Sequence, residues 1–343
     1  MRKLLNTLYI TSPDRYLSLD GENVVIQEKG KDIGRVPLHN LERIVTFGYT
    51  GASPALIGKC ASDGIELVFM SGSGRFLARV EGEVNGNVLL RRQQYRYADD
   101  KDKSLEIARN IICAKLFNSR WTVERTLRDH PLRIDTDKFS TCSQQLKKST
   151  DNARCAADID TLRGIEGEAA QIYFSVFDDM ILQQKDDFRF SGRNKRPPKD
   201  NVNAMLSFAY SLATSMCASA LEAVGLDPYV GFMHTDRPGR RSLALDIVED
   251  LREPLCDRFV LTLINKNMIA PNDFVKREDG AVLLTDNGRR TFISAWQKRK
   301  DDELRHPFLN EKLQWGNVAY AQALLLARFI RGDIDTYPPF MWK

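Results

Sequence analysis

A few acidic residues and one histidine stand where their chemistry is out of keeping with their surroundings. In the block RGIEGEAAQIYF at 163–174, Glu166, Ala169, Ala170 and Tyr173 recur at helical spacing, continued by Phe177, so they share one face. Apart from Glu166 that face is apolar, and a carboxylate there is costly unless paired or bound to a cation. Glu168 falls on the polar side instead. Two readings of Glu166 stand side by side. It ligates a metal, or it is a first-turn acid steadied by the helix dipole and paired with Arg163.

The second chemical segment is GFMHTDRPGRRSLALDIVEDLREPLCD at 231–257. His234 follows an apolar run and opens a turn rich in Pro and Gly. Ser242 is a candidate N-cap for a helix starting at Leu243. In that helix Asp246, Glu249 and Asp250 lie three or four residues apart and share a face, while Leu243, Ile247 and Leu251 point elsewhere. A histidine and nearby acids separated by a tight turn can converge on one ion. Imidazole with carboxylates suits Mg2+ or Mn2+ in phosphoryl transfer, and also accepts Zn2+. The competing readings are a hydrogen-bonded loop histidine and a solvated acidic helix face. The residues alone keep both open.

Charge supplies the context. The chain has 343 residues and a net charge of +4, unevenly spread. Residues 185–199 hold six basic residues against two acidic ones. Further basic groups are Arg91, Arg92 and Arg96, then Arg237, Arg240 and Arg241, and the stretch from Arg289 to Lys300. Tyr95, Tyr97, Phe188, Phe190 and Trp296 interleave with some of them. Such clusters fit phosphate contacts on a nucleic acid, and equally fit ordinary solvated surface. The six cysteines form no CxxC pair, which argues against a zinc ribbon or a disulfide framework. They read as buried thiols. No run reaches the roughly 18 apolar residues of a membrane span. The N-terminus meets Asp14 and Asp20 early and reads as a strand, so a cytoplasmic protein without membrane contact is expected.

The elements that must position these residues fall into two groups. Up to about residue 90, short β-branched runs at Thr7–Thr11, Asn23–Gln27, Arg43–Phe47 and Ile65–Met70 alternate with glycine turns, and one helix spans Ser53–Asp63. A small sandwich or barrel has this rhythm. From about residue 100 helical periods take over. Leu105, Ala108, Ile112 and Leu116 form one, and Leu206, Tyr210, Ala213 and Cys217 another. Helices are also expected at 137–160, 163–183, 242–257, 288–300 and 312–331, with a hairpin near 265–285 turning at Asp279-Gly280. The expectation is a two-lobed α+β chain. It has a β-sandwich-like N-terminal domain at 1–90, a linker at 91–100, and an all-α catalytic domain at 101–343.

Together with GRNKRPPKDNVNAMLSFAYSL at 192–212, the two chemical blocks resemble the universal integrase subunit of CRISPR adaptation, the protein numbered one in that system. Order and spacing match, nearly the whole chain is covered, and the flavour is that of subtype I-C. The resemblance implies that Glu166, His234 and Glu249 ligate Mg2+ or Mn2+, with Asp246 supporting the site or reaching the metal through water. Relatives often carry aspartate at the position of Glu249, which leaves the division of labour among Asp246, Glu249 and Asp250 open. It further implies a metal-dependent DNA endonuclease and integrase of antiviral spacer acquisition. A prespacer 3′-hydroxyl attacks the leader–repeat junction, and branched DNA is nicked or resolved in reverse. Arg193, Lys195, Arg196, Arg240 and Arg241 become candidate DNA contacts. Implied partners are the prespacer duplex, the CRISPR leader–repeat, a second copy joined through the N-terminal domains, and a small ferredoxin-like companion completing a heterohexamer. The alternatives are a non-catalytic DNA-binding scaffold and a metal-dependent phosphodiesterase acting on RNA or nucleotides.

Overall fold

The structure is a computed structural model describing residues 7–72, 76–80, 87–194 and 197–343. Strands β1 (Thr7–Ile10), β2 (Arg15–Asp20), β3 (Asn23–Glu28), β4 (Lys31–Pro37) and β5 (Arg43–Phe47) come first. Helix α1 (Pro54–Asp63), β6 (Glu66–Met70) and β7 (Phe76–Arg79) follow. They form two sheets, β1-β5-β6-β7 and the antiparallel meander β2-β3-β4. The β3–β4 turn places Lys29 and Gly30 at φ 51° and 76°, the double positive that a tight hairpin turn needs.

The first sheet is mixed. β1 and β6 both run parallel to β5, and only β7 is antiparallel. Parallel neighbours cannot be joined by a hairpin, so α1 carries the chain across from β5 to β6. Ser53 caps α1 by accepting from the Leu56 amide. Ile10, Leu17, Val24, Leu38, Ile44, Leu56 and Leu67 unite both sheets and α1 in one small core. Two sheets around a shared core match the expected sandwich character. The other face of the mixed sheet, with Val45, Phe47, Val68 and Met70, belongs to the large core of the helical part.

That part contains α2 (Val88–Asp99), α3 (Lys101–Asp129), α4 (Thr136–Arg154), α5 (Ile159–Phe174) and α6 (Asn201–Ala223). Helices α7 (Ser242–Glu249), α8 (Arg258–Asn265), α9 (Asp286–Asp301) and α10 (Trp315–Arg331) complete it. Two short hairpins, β8 (Phe274–Lys276) with β9 (Val282–Leu284) and β10 (Glu303–Arg305) with β11 (Lys312–Gln314), interrupt the helices. The expected all-α character therefore fails at these points. The stretch read as a linker, 91–100, lies almost wholly in α2, whose first turn is capped by Asn87. Helix α6 is long and apolar enough to cross a membrane by composition alone, yet most of it is buried within the fold.

The expected helix at 242–257 breaks after Glu249. A π-helical segment, Arg252–Asp257, takes over. Pro254 has no N–H to give the Asp250 carbonyl four residues earlier, so the α-helical register cannot continue through it. The Asp250 carbonyl accepts from Asn118 Nδ2 at 2.9 Å instead.

Candidate active site

Four elements meet at the site: the middle of α3, the first half of α5, the 231–236 loop and helix α7. The loop is held down from beneath. Asp246, fully buried on α7, accepts from the amides of Phe232 at 2.6 Å, Met233 at 3.0 Å and His234 at 3.0 Å. Gly231 lets the loop come that close, because a Cβ there would sit 2.8 Å from Ser242 Cβ and 2.9 Å from Asp246 Oδ2. Arg163 Nη2 donates to the Met233 carbonyl at 2.7 Å and fixes the loop from α5.

Asp246 Oδ1 also lies 2.6 Å from His234 Nδ1. A carboxylate already taking backbone amides can only accept, so Nδ1 donates to it and Nε2 is the ring nitrogen that Asp246 leaves unengaged. Nε2 faces Glu249 Oε1 at 4.0 Å. Glu249 is 3 % exposed and ion-paired with Arg252 at 2.9 Å and with the Lys115 ammonium at 2.8 Å. Lys115, on α3, also pairs with Glu166 of α5. A buried ammonium thus sits between the two carboxylates, and His234 stands by only as a neighbour of Glu249 at 4.0 Å. Burial by itself would raise the Glu249 pKa. The charges of Arg252 and Lys115 outweigh it and hold this carboxyl down at about 2.

The donor set fits a divalent cation. The two carboxylates already share the Lys115 ammonium, and the imidazole turns Nε2, the nitrogen not engaged by Asp246, towards Glu249. Among the described residues no three His, Cys, Asp or Glu side chains converge at ligating distance, because the glutamates are turned to Lys115. Glu166 and Lys115 open onto a cleft of about 630 Å³ that Arg193, Tyr210 and Arg252 also line. His234 faces a second cleft, about 730 Å³, whose wall carries Asp99, Asp102, Asp158, Asp160 and Asp236.

Several sequence-stated roles take definite positions. Glu166 pairs with Lys115, while Arg163 pairs with Asp160 at 2.8 Å. The acids on α7 do not form a solvated face, since Asp246, Glu249 and Asp250 are all buried. Asp250 turns away from the site. Ser242 does not cap α7 but donates to the Thr235 carbonyl at 3.1 Å, and Arg241 holds the cap position without a side-chain bond. Of the candidate DNA contacts, Arg193 donates to Asn203 and the Asn194 carbonyl, both at 2.6 Å, and lies over the Tyr210 ring. Arg241 stacks on Phe76, and Arg240 is half-buried beside it. Lys195 and Arg196 lie outside the described residues. Phe188, Phe190, Trp296, Arg289 and Lys300 are buried, so the nucleic-acid reading of those clusters does not hold for them. Five of the six cysteines are buried free thiols, and only Cys155 is exposed.

Lys115 and Arg252 escape notice in the sequence, and Arg163 is noticed there only as a partner for Glu166, not as the anchor of the 231–236 loop. Lys115 had a signal, because it lies three residues after Ile112 on the buried face of α3.

Asp246→Asn tests the loop clamp. Asparagine replaces one carboxylate oxygen with a donor that faces amide donors and Nδ1–H. Where such an imidazole ligates a metal, the partner that orients it is worth roughly 10–100-fold, and a loss of that size in Mn2+ affinity, measured by calorimetry, is expected.

Beneath Arg252 lies a second acidic pair. Asp257 accepts from Tyr210 Oη at 2.6 Å and Tyr173 Oη at 3.1 Å, and Glu253 is buried beside it. Burial, then the charge of Asp257, pushes the Glu253 carboxyl up to about 8 from its ordinary 4.5. Such an acid keeps its proton after the unfolded chain has lost it, so stability falls as pH rises from 4.5 towards 8. Glu253→Gln removes this dependence. The variant is expected to melt roughly 5 °C above the parent at pH 8 and near it at pH 4.5, read by calorimetry in EDTA.

Comparison with known proteins places this geometry. The family model for CRISPR associated protein Cas1 matches residues 8–298. The chain is 49% identical over 343 residues to CRISPR-associated endonuclease Cas1 1 of Chlorobaculum tepidum, covering 100% of both chains. It shares its fold with a casposase bound to integration product, at TM-score 0.83 and 21% identity, covering 99% of this chain and 95% of that one. A Cas6-RT-Cas1–Cas2 complex matches at TM-score 0.83 and 22% identity, covering 100% of this chain and 36% of that chain. A match spanning most of the sequence, with a full-length relative at nearly half identity, makes this chain a member of the Cas1 family.

Proposed function

We propose that the chain is a metal-dependent DNA integrase and nuclease of CRISPR adaptation, acting in the cytoplasm and of subtype I-C. One observation carries the reading. Glu166 and Glu249 share the Lys115 ammonium, and His234 Nε2 faces Glu249 at 4.0 Å, beside a cleft that arginines also line. The family membership and the relative named as an endonuclease support cutting, and the fold shared with a casposase supports joining.

Glu166, His234 and Glu249 would hold Mg2+ or Mn2+. When bound, the ion supplies charge neutralisation at a phosphate and lowers the pKa of an attacking hydroxyl. The chain's own residues do the rest. Asp246 occupies Nδ1 of His234, so that Nε2 is the nitrogen left to ligate, and it holds the loop in place. Arg252 and Lys115 put positive charge beside the carboxylates, where a phosphodiester must approach. In the joining reaction the 3′-oxygen of a short duplex forms a bond to phosphorus at the leader–repeat junction. The bond from phosphorus to the leader 3′-oxygen breaks, and that oxygen leaves as a hydroxyl once protonated. Water in place of the 3′-hydroxyl gives nicking. The partners proposed are a second copy of the chain and a small ferredoxin-like companion, a pairing in keeping with the Cas1–Cas2 complex that shares this fold.

The test is an integration assay with the companion protein, a supercoiled array plasmid, a labelled 3′-hydroxyl duplex and a titration of Mg2+ and Mn2+. Metal-dependent covalent transfer of label to the plasmid is expected. Binding without transfer at every metal concentration would establish the scaffold reading instead.

A further inference from the structure

The segment after α10 runs back across α3 to the turn that follows α7. Tyr337 and Phe340 are buried, at 1 % and 0 % exposure. Three donors converge on Asp250 Oδ2: the Tyr337 hydroxyl at 3.2 Å, the Phe340 amide at 3.2 Å and Gln322 Nε2 at 3.4 Å. Gln322 is itself oriented. The amides of Phe308 and Leu309 donate to His306 Nδ1, so Nε2 carries the proton and donates to the Gln322 carbonyl oxygen at 3.0 Å. The amide nitrogen of Gln322 is thereby turned to Asp250, to the Tyr337 oxygen at 2.9 Å and to the Pro338 carbonyl at 3.2 Å.

Asn118 completes the tie from the other side. Its Nδ2 donates to the Phe340 carbonyl at 2.7 Å as well as to the Asp250 carbonyl left free by Pro254. Its Oδ1 accepts from the Trp342 amide at 2.9 Å. Asn118 lies one helical turn beyond Lys115 on α3, and Asp250 directly follows Glu249. The C-terminal segment therefore fastens together the two elements whose side chains pair in the site.

We infer that Tyr337–Trp342 is a positioning element of the active site, setting through Asp250 and Asn118 where Glu249 and Lys115 stand. This rests on the metal-dependent reading above. A shift of Glu249 relative to Glu166 and His234 loosens the proposed ligand set without touching DNA, so the turnover step suffers and DNA affinity does not.

Full-length Tyr337→Phe and Asn118→Ala proteins test this. Tyr337→Phe removes one hydroxyl and keeps the ring in the core, so it separates positioning from folding. Two readouts apply: kcat and KM of strand joining, and Mn2+ affinity measured by calorimetry without DNA. For Tyr337→Phe, kcat and Mn2+ affinity are each expected to fall several-fold, with KM for DNA unchanged, the protein fully folded at the assay temperature and the melting temperature lowered by only a few degrees. Asn118→Ala should follow in the same direction, by about tenfold or more. Parental kcat and Mn2+ affinity in both variants would overturn the inference, as would a kcat loss tracking a fall in melting temperature alone. Failure of the unsubstituted protein to join DNA would instead count against the integrase reading, and the Mn2+ measurement would still decide the positioning role.

Discussion

His234→Ala and Glu166→Ala are each expected to lower strand joining by roughly 10³-fold or more, with DNA binding retained. His234 has one nitrogen committed to Asp246, so alanine removes the only free imidazole donor in the site. The loop survives, because Asp246 still accepts from the amides of residues 232, 233 and 234. Glu166 sits on a helix surface with its side chain 27% exposed. Its removal leaves Lys115 paired with Glu249, so no buried charge is stranded. Both substitutions therefore separate chemistry from folding. The check is a strand-transfer assay beside a binding isotherm on the same duplex. Joining equal to the parent in both variants would show that the site lies elsewhere.

How much of this was legible in the sequence depends on the kind of signal each residue carries. β5 reads cleanly because its β-branched run fills a central strand, whereas β4 carries Gly34 and Pro37 on a largely exposed edge and gives no pattern. The oddity of Glu166 came from one carboxylate on an apolar face, a local property. The acids of α7 show the limit of periodicity. They do share the turns of one helix, but α7 is covered on nearly every side, and each acid answers a different neighbour. Asp246 serves the 231–236 loop, Glu249 the cations, and Asp250 the C-terminal segment. No spacing rule encodes those assignments, because the partners lie far away along the chain. The break at Glu249 was partly visible in Pro254, yet the rescue of the freed carbonyl by Asn118 was not. The three-block resemblance linked Glu166 to His234 and Glu249, and the packing then added Lys115, which neither periodicity nor resemblance had singled out.

Lys115→Met is the complementary experiment, because it should act most strongly on the metal-free protein. The ammonium is buried, paired with both Glu166 and Glu249, and burial alone would push its proton off. The two glutamates reverse this and raise its pKa. Methionine keeps the stem and removes the charge, leaving Glu249 buried with only Arg252 beside it. Glu249 keeps Arg252, so the loss is that of one of two charged partners of a buried carboxylate, about 1–3 kcal/mol, and a fall in melting temperature of a few degrees is expected in EDTA. The acid limb should change as well. Glu249, held at about 2 against an ordinary 4.5, contributes stability above pH 4.5 that is lost as pH falls towards 2. With Lys115 gone that carboxyl moves back up, and this part of the pH dependence shrinks. A divalent ion held by the carboxylates would replace the missing charge, and ligand binding to the folded state alone adds stability. Saturating Mn2+ should therefore restore most of the loss in Lys115→Met and stabilise it more than the parent, where the ammonium competes for the same oxygens. An equal deficit with and without Mn2+ would mean that Lys115 serves only the packing of α3, and that the cation it replaces is not a metal.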